Sequence, residues 1–245
     1  GQAMLKKCIE GRWLQANAAV AFYPANTVGD DHIEVYADES RSQVLFTYSP
    51  LRQQGEKREG IPNKSLADFI APKGEGADYI GMFAVTAGLG VEKKEKEFQA
   101  AHDDYSSIMF KAIADRMAEA FAECLHQRVR KDLWGYVADE TLSNEELIAE
   151  KYQGIRPAPG YPACPEHTIK RNMFEVMQCE EIGMTLTESL AMNPAASVSG
   201  FYFANPESDY FNVGTIGSDQ FSDLQKFTAR TDDDLRRALG PVLLG

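Results

Sequence analysis

The chain has 245 residues, 44% of them hydrophobic and 25% charged, which is typical of a soluble globular protein with one large domain or two small ones. Its net charge of −12 repels phosphate backbones and anionic lipids, so we expect neither nucleic acid nor a membrane among its partners. No apolar run is long enough to span a bilayer, and no hydrophobic signal sequence follows the N-terminus.

The N-terminal part of the chain predicts a helix, a group of short strands and a central strand. Apolar residues at helical spacing come first, and short apolar runs separated by polar turns follow. The predicted elements are a helix over 3–17, strands over 19–24, 32–38 and 43–49, a solvated loop over 52–64, a short helix capped by Ser65 and an apolar strand over 79–88.

The longest predicted element is a helix from about Phe98 to Trp134. Its apolar residues recur at i, i+3, i+4 and i+7, so a helix of roughly 50 Å would carry one continuous apolar stripe. Ser143 and Glu146, three residues apart, form a capping box ahead of a shorter helix.

The C-terminal part predicts a second group of strands between helices. The predicted elements are a helix over 168–182, strands over 184–192, 197–205 and 210–216, and two helices over 219–230 and 232–240. Strands that occur in clusters, rather than alternating with helices, favour an α+β fold with an antiparallel sheet over a doubly wound fold.

Gly88 and Gly90 form a G-x-G directly after the predicted strand 79–88, as at the start of a dinucleotide-binding fingerprint. The third glycine is absent, and the charged run EKKEKE stands where the fingerprint requires a helix. The pattern therefore favours a simple strand-ending turn.

The four cysteines, Cys8, Cys124, Cys164 and Cys179, include no C-x-x-C pair, which argues against a disulfide framework or a zinc ribbon and favours a reducing cytoplasm. Cys124 and Cys179 fall in helical patterns and are expected to be buried thiols. Cys164 and His167 could form a nucleophile or a metal site. Because no second ligand pair lies nearby, we favour a His167 that braces its loop.

The segment RPAPGYPACPEH, residues 156–167, contains four of the eleven prolines. The prolines fix φ and leave carbonyls as acceptors, and Gly160 allows a ligand to approach the backbone. Arg156 offers a planar fork for a carboxylate, and Tyr161 offers a ring face and a hydroxyl. This combination suits a ligand that carries an amino-acid group and a base, although a proline-rich crossover can also be purely architectural.

This segment, together with AFYPANTVGDDHIEVY, HDDYSSIMFKAIADRMAEAFAE and LTESLAMNPAASVSGFYFANPESDYF, closely resembles the C-terminal activation domain of cobalamin-dependent methionine synthase. The resemblance covers nearly the whole chain and implies a single C-shaped α+β domain, residues 1–245, around a twisted antiparallel sheet. It implies S-adenosylmethionine binding and the reductive remethylation of inactive cob(II)alamin. The isolated domain of this methyltransferase is not expected to be catalytic alone, and no acid–base constellation is needed, because the protein mainly positions two reactive centres.

The resemblance also assigns roles to individual residues. Arg156 would bind the methionyl carboxylate of the ligand, and the carbonyl of Ala158 and the backbone of Gly160 would contact its adenosyl part. Tyr161 would lie near the ligand and reach the cobalamin. The remaining ligand contacts would be Tyr210, Phe211 and Glu119. Phe211 stands where the family has a second tyrosine. Glu119 lies on the long helix and could equally be a solvated side chain.

The partners that the resemblance implies are the cobalamin-binding domain of the same enzyme and an electron donor, either flavodoxin or a diflavin reductase. Zinc would belong only to the substrate domain of the full enzyme. An N-terminal segment with an aspartate for the ligand's amino group would precede Gln2, and losing that contact would cost about 1.5–3 kcal/mol of binding. The alternatives are a docking module that binds no small ligand and a free-standing S-adenosylmethionine enzyme.

Overall fold

The structure is a computed structural model that describes residues 1–228 and 230–244. Its strands are β1 (Gln15–Val28), β2 (His32–Tyr36), β3 (Val44–Tyr48), β4 (Asp78–Leu89), β5 (Thr185–Leu186), β6 (Met192–Asn193) and β7 (Ser197–Tyr202). Its α-helices are α1 (Gln2–Gly11), α2 (Val91–Ala100), α3 (Asp104–Arg128), α4 (Asn144–Ile148), α5 (Lys170–Val176), α6 (Ser218–Thr228) and α7 (Asp232–Leu239). A π-helical turn over Val129–Leu133 follows α3, and short 3₁₀ helices span Leu66–Phe69 and Cys179–Ile182.

Five strands form one sheet in the order β3-β2-β1-β4-β7, and β5 and β6 form a separate two-stranded sheet. The β1–β2 and β2–β3 pairs are antiparallel, and β4 is an interior strand, as its apolar sequence predicts. The α+β class with an antiparallel sheet is therefore confirmed, and so is the absence of a doubly wound fold.

Several predicted boundaries are wrong. The first helix ends at Gly11, where Arg12 adopts φ 49°, and β1 begins at Gln15 inside the predicted helix. Residues 184–192 form the start of a short hairpin rather than one strand, since β5 and β6 pair through Thr185–Asn193 and Leu186–Met192. Residues 210–216 form no strand, so the strand predicted there is absent.

The predicted long helix is two helices. His102 adopts φ 52°, and Asp103 caps α3 by accepting a hydrogen bond from the Ser106 N–H at 3.0 Å. The preceding charged run, for which no helix was predicted, forms α2. An acidic side chain that accepts a backbone N–H begins a new helix, and a left-handed residue ends the previous one.

The short capped helices agree well with the sequence. Ser65 and Asp68 form a reciprocal capping box on the 3₁₀ helix, and Ser143 and Glu146 form the predicted one on α4. Thr231 caps α7. The predicted helix over 219–230 agrees with α6 apart from Ala229, which lies outside the described residues, and Arg230, which follows the helix.

The chain forms two compact units. The first contains residues 1–21, 83–138 and 173–199, and the second contains residues 22–82, 139–172 and 200–245. The single domain and its C-shaped outline stay predictions. In the first unit, α3 buries one stripe of small residues, and Trp13, Phe98 and Phe110 form an edge-to-face aromatic cluster.

The second unit contains β2, β3, the C-terminal half of β1 and the proline-rich segment. Tyr48 and Phe201 stack at 4.8 Å between ring centroids. A separate apolar cluster forms beneath α6 and α7 from Leu51, Val213, Ile216, Phe221, Leu224, Leu235 and Leu239. Over the described stretch of chain, no helix combines the length and the hydrophobicity needed to cross a membrane.

Candidate functional site

The proline-rich segment is held by backbone hydrogen bonds at both ends. Ile155 exchanges two bonds with Phe203, N to O at 3.0 and 3.1 Å, and the Pro157 carbonyl accepts from the Phe201 N–H at 2.9 Å. At the far end, the Pro162 carbonyl accepts from the Val213 N–H at 2.9 Å. The segment is therefore a fixed loop that joins two neighbouring stretches of the same unit.

A tight turn presents the middle of the loop. The Ala158 carbonyl accepts from the Tyr161 N–H at 3.1 Å, and the Gly160 N–H donates to the Cys164 carbonyl at 2.7 Å. The expectation that the loop leaves its carbonyls as acceptors is wrong for Pro157 and Pro162, which are paired within the protein. Ala158 keeps one carbonyl lone pair beyond the turn bond.

Arg156, Gly160 and Tyr161 differ in exposure along this loop. Arg156 is half-buried, Gly160 is exposed, and Tyr161 is 59% exposed despite its large ring. A guanidinium can bind a carboxylate, and an exposed aromatic ring can bind a planar group. Ala158, Gly160 and Tyr161 share the tight turn, and Arg156 lies two residues before it in the same loop.

Tyr210 contacts the loop through its hydroxyl. Its Oη accepts a hydrogen bond from the Arg156 backbone N–H at 2.9 Å and lies 3.0 Å from the Tyr152 Oη. Burial raises the pKa of Tyr210, so the group is a neutral phenol at physiological pH. Sequence reasoning missed Tyr152, because a lone tyrosine four residues before the arginine carries no motif.

Phe211 contacts apolar groups of the protein. It packs against the cluster beneath α6 and α7, and its ring meets Phe69 edge-on at 6.3 Å between centroids. A phenylalanine suits this apolar position, where a tyrosine hydroxyl would need a partner. Tyr210 and Phe211 together connect the proline-rich loop to the apolar cluster beneath α6 and α7.

His167 lies against Gly160. A Cβ on Gly160 would overlap the imidazole ring, and Gly160 adopts φ 99°, which favours glycine. Burial and the nearby Lys170 hold the pKa of His167 below its ordinary value, which favours a neutral ring. The contact agrees with the expectation that His167 braces the loop.

Cys164 has the character of a structural thiol. Its Sγ lies 3.0 Å from the Tyr48 Oη, and complete burial raises the pKa of Cys164 to about 12. Among the residues that the structure describes, no group of three His, Cys, Asp or Glu side chains could hold a metal ion. Thiolate catalysis needs a lowered pKa, which this thiol does not have.

The other cysteines agree with the sequence in part. Cys8 and Cys179 are buried, and Cys179 was expected to be. Cys124 is exposed, so the prediction that it is buried is wrong. It lies between Ala122 and His126, which are successive buried positions of α3.

Glu119 lies on α3 in the first unit, whereas the other six predicted site residues belong to the second. Its side chain is exposed. Its role toward a ligand stays a prediction.

Gly88 and Gly90 approach other parts of the protein closely. A Cβ on Gly90 would lie 2.6 Å from the Trp13 carbonyl oxygen, and one on Gly88 would overlap Pro194. Gly90 adopts φ 98° at the start of α2. The glycines therefore allow chain packing at a strand-ending turn, as the missing third glycine indicated.

A cavity of about 350 Å³ lies in the second unit, but none of the predicted site residues lines it. The charged residues that line it, Glu166 and Arg230, both bond to Thr168. The Glu166 carboxylate accepts from the Thr168 N–H at 2.8 Å and from its hydroxyl at 2.6 Å, and Arg230 donates to the same hydroxyl at 3.1 Å. We place the candidate site at the loop, where Gly160 and Tyr161 are exposed and Arg156 is half-buried.

Comparison with known proteins gives two findings. The family model described as "Vitamin B12 dependent methionine synthase, activation domain" matches residues 1–229. A solved structure described as "Crystal Structure of the MetH Reactivation Domain bound to AdoHcy" is 53% identical, with a TM-score of 0.94, and the match covers 99% of this chain and 74% of that one.

Proposed function

Since the chain belongs to the family of vitamin B12 dependent methionine synthase activation domains, we propose that it binds S-adenosylmethionine and presents the methyl group to cobalamin. The observation that carries the proposal is the AdoHcy bound to the similar reactivation domain. AdoHcy is what remains of S-adenosylmethionine once the methyl group has left, and it carries the same carboxylate, ribose and base.

The loop supplies the groups that this ligand requires. The Arg156 fork binds the methionyl carboxylate in a bidentate, charge-assisted manner. The Ala158 carbonyl and the backbone of the exposed Gly160 contact the adenosyl part, and the exposed ring of Tyr161 lies near the sulfonium and faces the corrin.

Three further residues have lesser roles. Tyr210, 37% exposed, contacts the ligand with its ring edge while its hydroxyl holds the loop. Phe211 acts through packing, because its ring contacts Phe69 and the apolar cluster. Glu119, which is exposed on α3, stays a predicted ligand contact through its negative charge.

The proposed methyl transfer requires few catalytic groups from the protein. A sulfonium carries an activated methyl group, and cob(I)alamin, formed by one-electron reduction of cob(II)alamin, is a strong nucleophile. The residues of this chain bind and orient the sulfonium so that the methyl group can leave in line, and no general base is needed.

The partners follow from this role. The cobalamin would be held by the cobalamin-binding domain of the same enzyme, and flavodoxin or a diflavin reductase would supply the electron in the cytoplasm. No zinc is needed for this step.

The proposal is tested by methyl transfer in trans. The chain is mixed with the cobalamin-binding domain, a reductant and S-adenosylmethionine labelled with ¹³C in the methyl group, and the label is followed by NMR. We expect transfer with wild type and with the control Arg171→Ala, which removes an exposed arginine of the same unit. Arg156→Ala should slow transfer at least about tenfold at subsaturating ligand.

Label that reaches cobalamin at the same rate without the chain would contradict the proposal. Equal transfer by wild type and Arg156→Ala would contradict the role of the loop. Association with the cobalamin-binding domain without any ligand binding would support the docking module instead.

A further inference from the structure

Arg156 is held by backbone contacts on both sides. Its neighbours Ile155 and Pro157 bond to Phe203 and Phe201, so the main chain that enters and leaves Arg156 is fixed. The Arg156 N–H turns to the other side and donates to the Tyr210 hydroxyl at 2.9 Å. The Tyr210 hydroxyl is therefore a third contact that holds the backbone from which the Arg156 side chain extends.

The Tyr210 hydroxyl is itself positioned by a second hydroxyl. Tyr152 is only 8% exposed, and its Oη lies 3.0 Å from the Tyr210 Oη. A phenol has one proton to donate and lone pairs to accept with, so Tyr210 can accept from Arg156 and still share a hydrogen bond with Tyr152. The three groups are hydrogen-bonded in series, from the buried Tyr152 side chain through Tyr210 to the backbone of the ligand-binding arginine.

This hydrogen-bonded series matters because a bidentate contact tolerates little displacement of the guanidinium. A guanidinium fork binds a carboxylate in one plane, and supporting residues must hold it within about 0.5 Å of the productive position. Tyr210 is partly exposed and joined to the C-terminal cluster through Phe211, so its own position needs a fixed reference. Tyr152, next to the start of the loop and nearly buried, provides one.

We propose that Tyr152 is a positioning residue for the ligand carboxylate, acting through the Tyr210 hydroxyl on the backbone of Arg156. The inference rests on the proposed function. It distinguishes two parts of the ligand, because Tyr152 should affect binding of the amino-acid part and leave binding of the nucleoside part unchanged.

The test compares two ligands. S-Adenosylhomocysteine carries the carboxylate, whereas 5′-deoxy-5′-methylthioadenosine has the same base and ribose without it. Affinities are measured by calorimetry, or by ligand-observed NMR for weak binding. Tyr152→Phe, which removes only the hydroxyl, should weaken S-adenosylhomocysteine binding about three- to tenfold and leave methylthioadenosine binding within about twofold.

The control is Tyr36→Phe, which removes a buried tyrosine's hydrogen bond to Glu34 elsewhere in the same unit. It should change neither affinity. In addition, Tyr152→Phe should have no further effect on S-adenosylhomocysteine binding when Arg156→Ala is already present, because the two groups act on one contact.

The outcomes separate the inference from the proposed function. If Tyr152→Phe leaves S-adenosylhomocysteine binding unchanged, or weakens both ligands equally, the inference is wrong while the proposed function stands. If wild type binds neither ligand, or Arg156→Ala binds S-adenosylhomocysteine as wild type does, the proposed function fails and the inference fails with it.

Discussion

At the scale of single residues, the candidate site depends on a close approach between Gly160 and His167. Gly160 combines φ 99° with an imidazole that occupies the space of a side chain. Gly214 offers a comparison within the same unit, since it adopts φ 73° with no atom within 4 Å of its Cβ position. Substitution at Gly214 would therefore introduce backbone strain alone, whereas substitution at Gly160 would introduce both backbone strain and steric overlap.

We expect Gly160→Ala to lower the free energy of unfolding more than Gly214→Ala. A left-handed alanine costs about 1–2 kcal/mol at either position, and the overlap with His167 adds to this at Gly160 alone. Chemical denaturation measures both variants. His167→Ala in the Gly160→Ala background should recover the difference, and equal losses for the two glycines would contradict the account.

Single residues also differ in whether the sequence alone predicts their place in the candidate site. Arg156, Ala158, Gly160 and Tyr161 come from one segment whose chemistry is local, and the structure keeps them in one loop, with the last three on its tight turn. The role of Tyr152 depends on a contact with a residue 58 positions away, which a single sequence does not display. The expected contact of Phe211 with the ligand stays a prediction, and its apolar neighbours in the structure come from distant parts of the chain that one sequence does not display.

At the scale of elements, α3 is defined by its buried stripe of small residues. Ala114, Ala118 and Ala122 lie four residues apart and are at most 1% exposed, while Ala120 faces solvent. Small side chains at this spacing let neighbouring elements approach the helix closely, so added volume cannot be accommodated.

We therefore expect Ala118→Leu to lower the free energy of unfolding by about 1–3 kcal/mol through overpacking. Ala120→Leu makes the same chemical change on the exposed face and should stay within about 0.5 kcal/mol of wild type. Thermal and urea unfolding of both variants test this. A similar effect of the two substitutions would mean that the stripe is not closely packed.

Helix α6 is attached to the sheet by an aromatic pair. The His32 ring stacks on Phe227 at 3.4 Å between centroids, and its Nδ1 lies 2.9 Å from the Ser49 hydroxyl. Burial lowers the pKa of His32, although Asp31, Asp223 and Asp30 act in the opposite direction. The folded protein therefore favours the neutral ring.

A lowered histidine pKa makes stability depend on pH with a definite sign. The unfolded state binds a proton near the ordinary pKa and the folded state only at lower pH, so stability is lost as pH falls below about 6.5. We expect wild type to lose more unfolding free energy between pH 7.5 and 5.5 than His32→Gln does. Identical pH dependence of the two proteins would contradict this.

Element types were more predictable than element boundaries. The N-cap at Ser65 and the capping box at Ser143 are local and were predicted correctly. The break between α2 and α3 was missed because its signal, the Asp103 cap, lies inside a continuous helical pattern. The predicted strand over 210–216 failed because its residues bond to the loop and to the C-terminus, with Val213 bonded to Pro162 and Ile216 to Val242.

At the scale of the whole molecule, we propose that ligand binding centres on the proline-rich loop of the second unit. The described residues contain no cluster that could hold a metal ion, and the proposed role needs none, because the ligand itself carries the activated methyl group. The function then depends on binding and orientation, and the arginine fork is the group with the largest expected contribution to affinity.

The central claim is tested most directly by calorimetric titration of the chain with S-adenosylmethionine, for wild type, Arg156→Ala and the control Arg171→Ala. We predict saturable binding by wild type and by Arg171→Ala, and an affinity at least about tenfold weaker for Arg156→Ala, because a charge-assisted contact is lost. Binding of equal strength by all three proteins, or by none, would contradict the assignment of the proline-rich loop as the binding site.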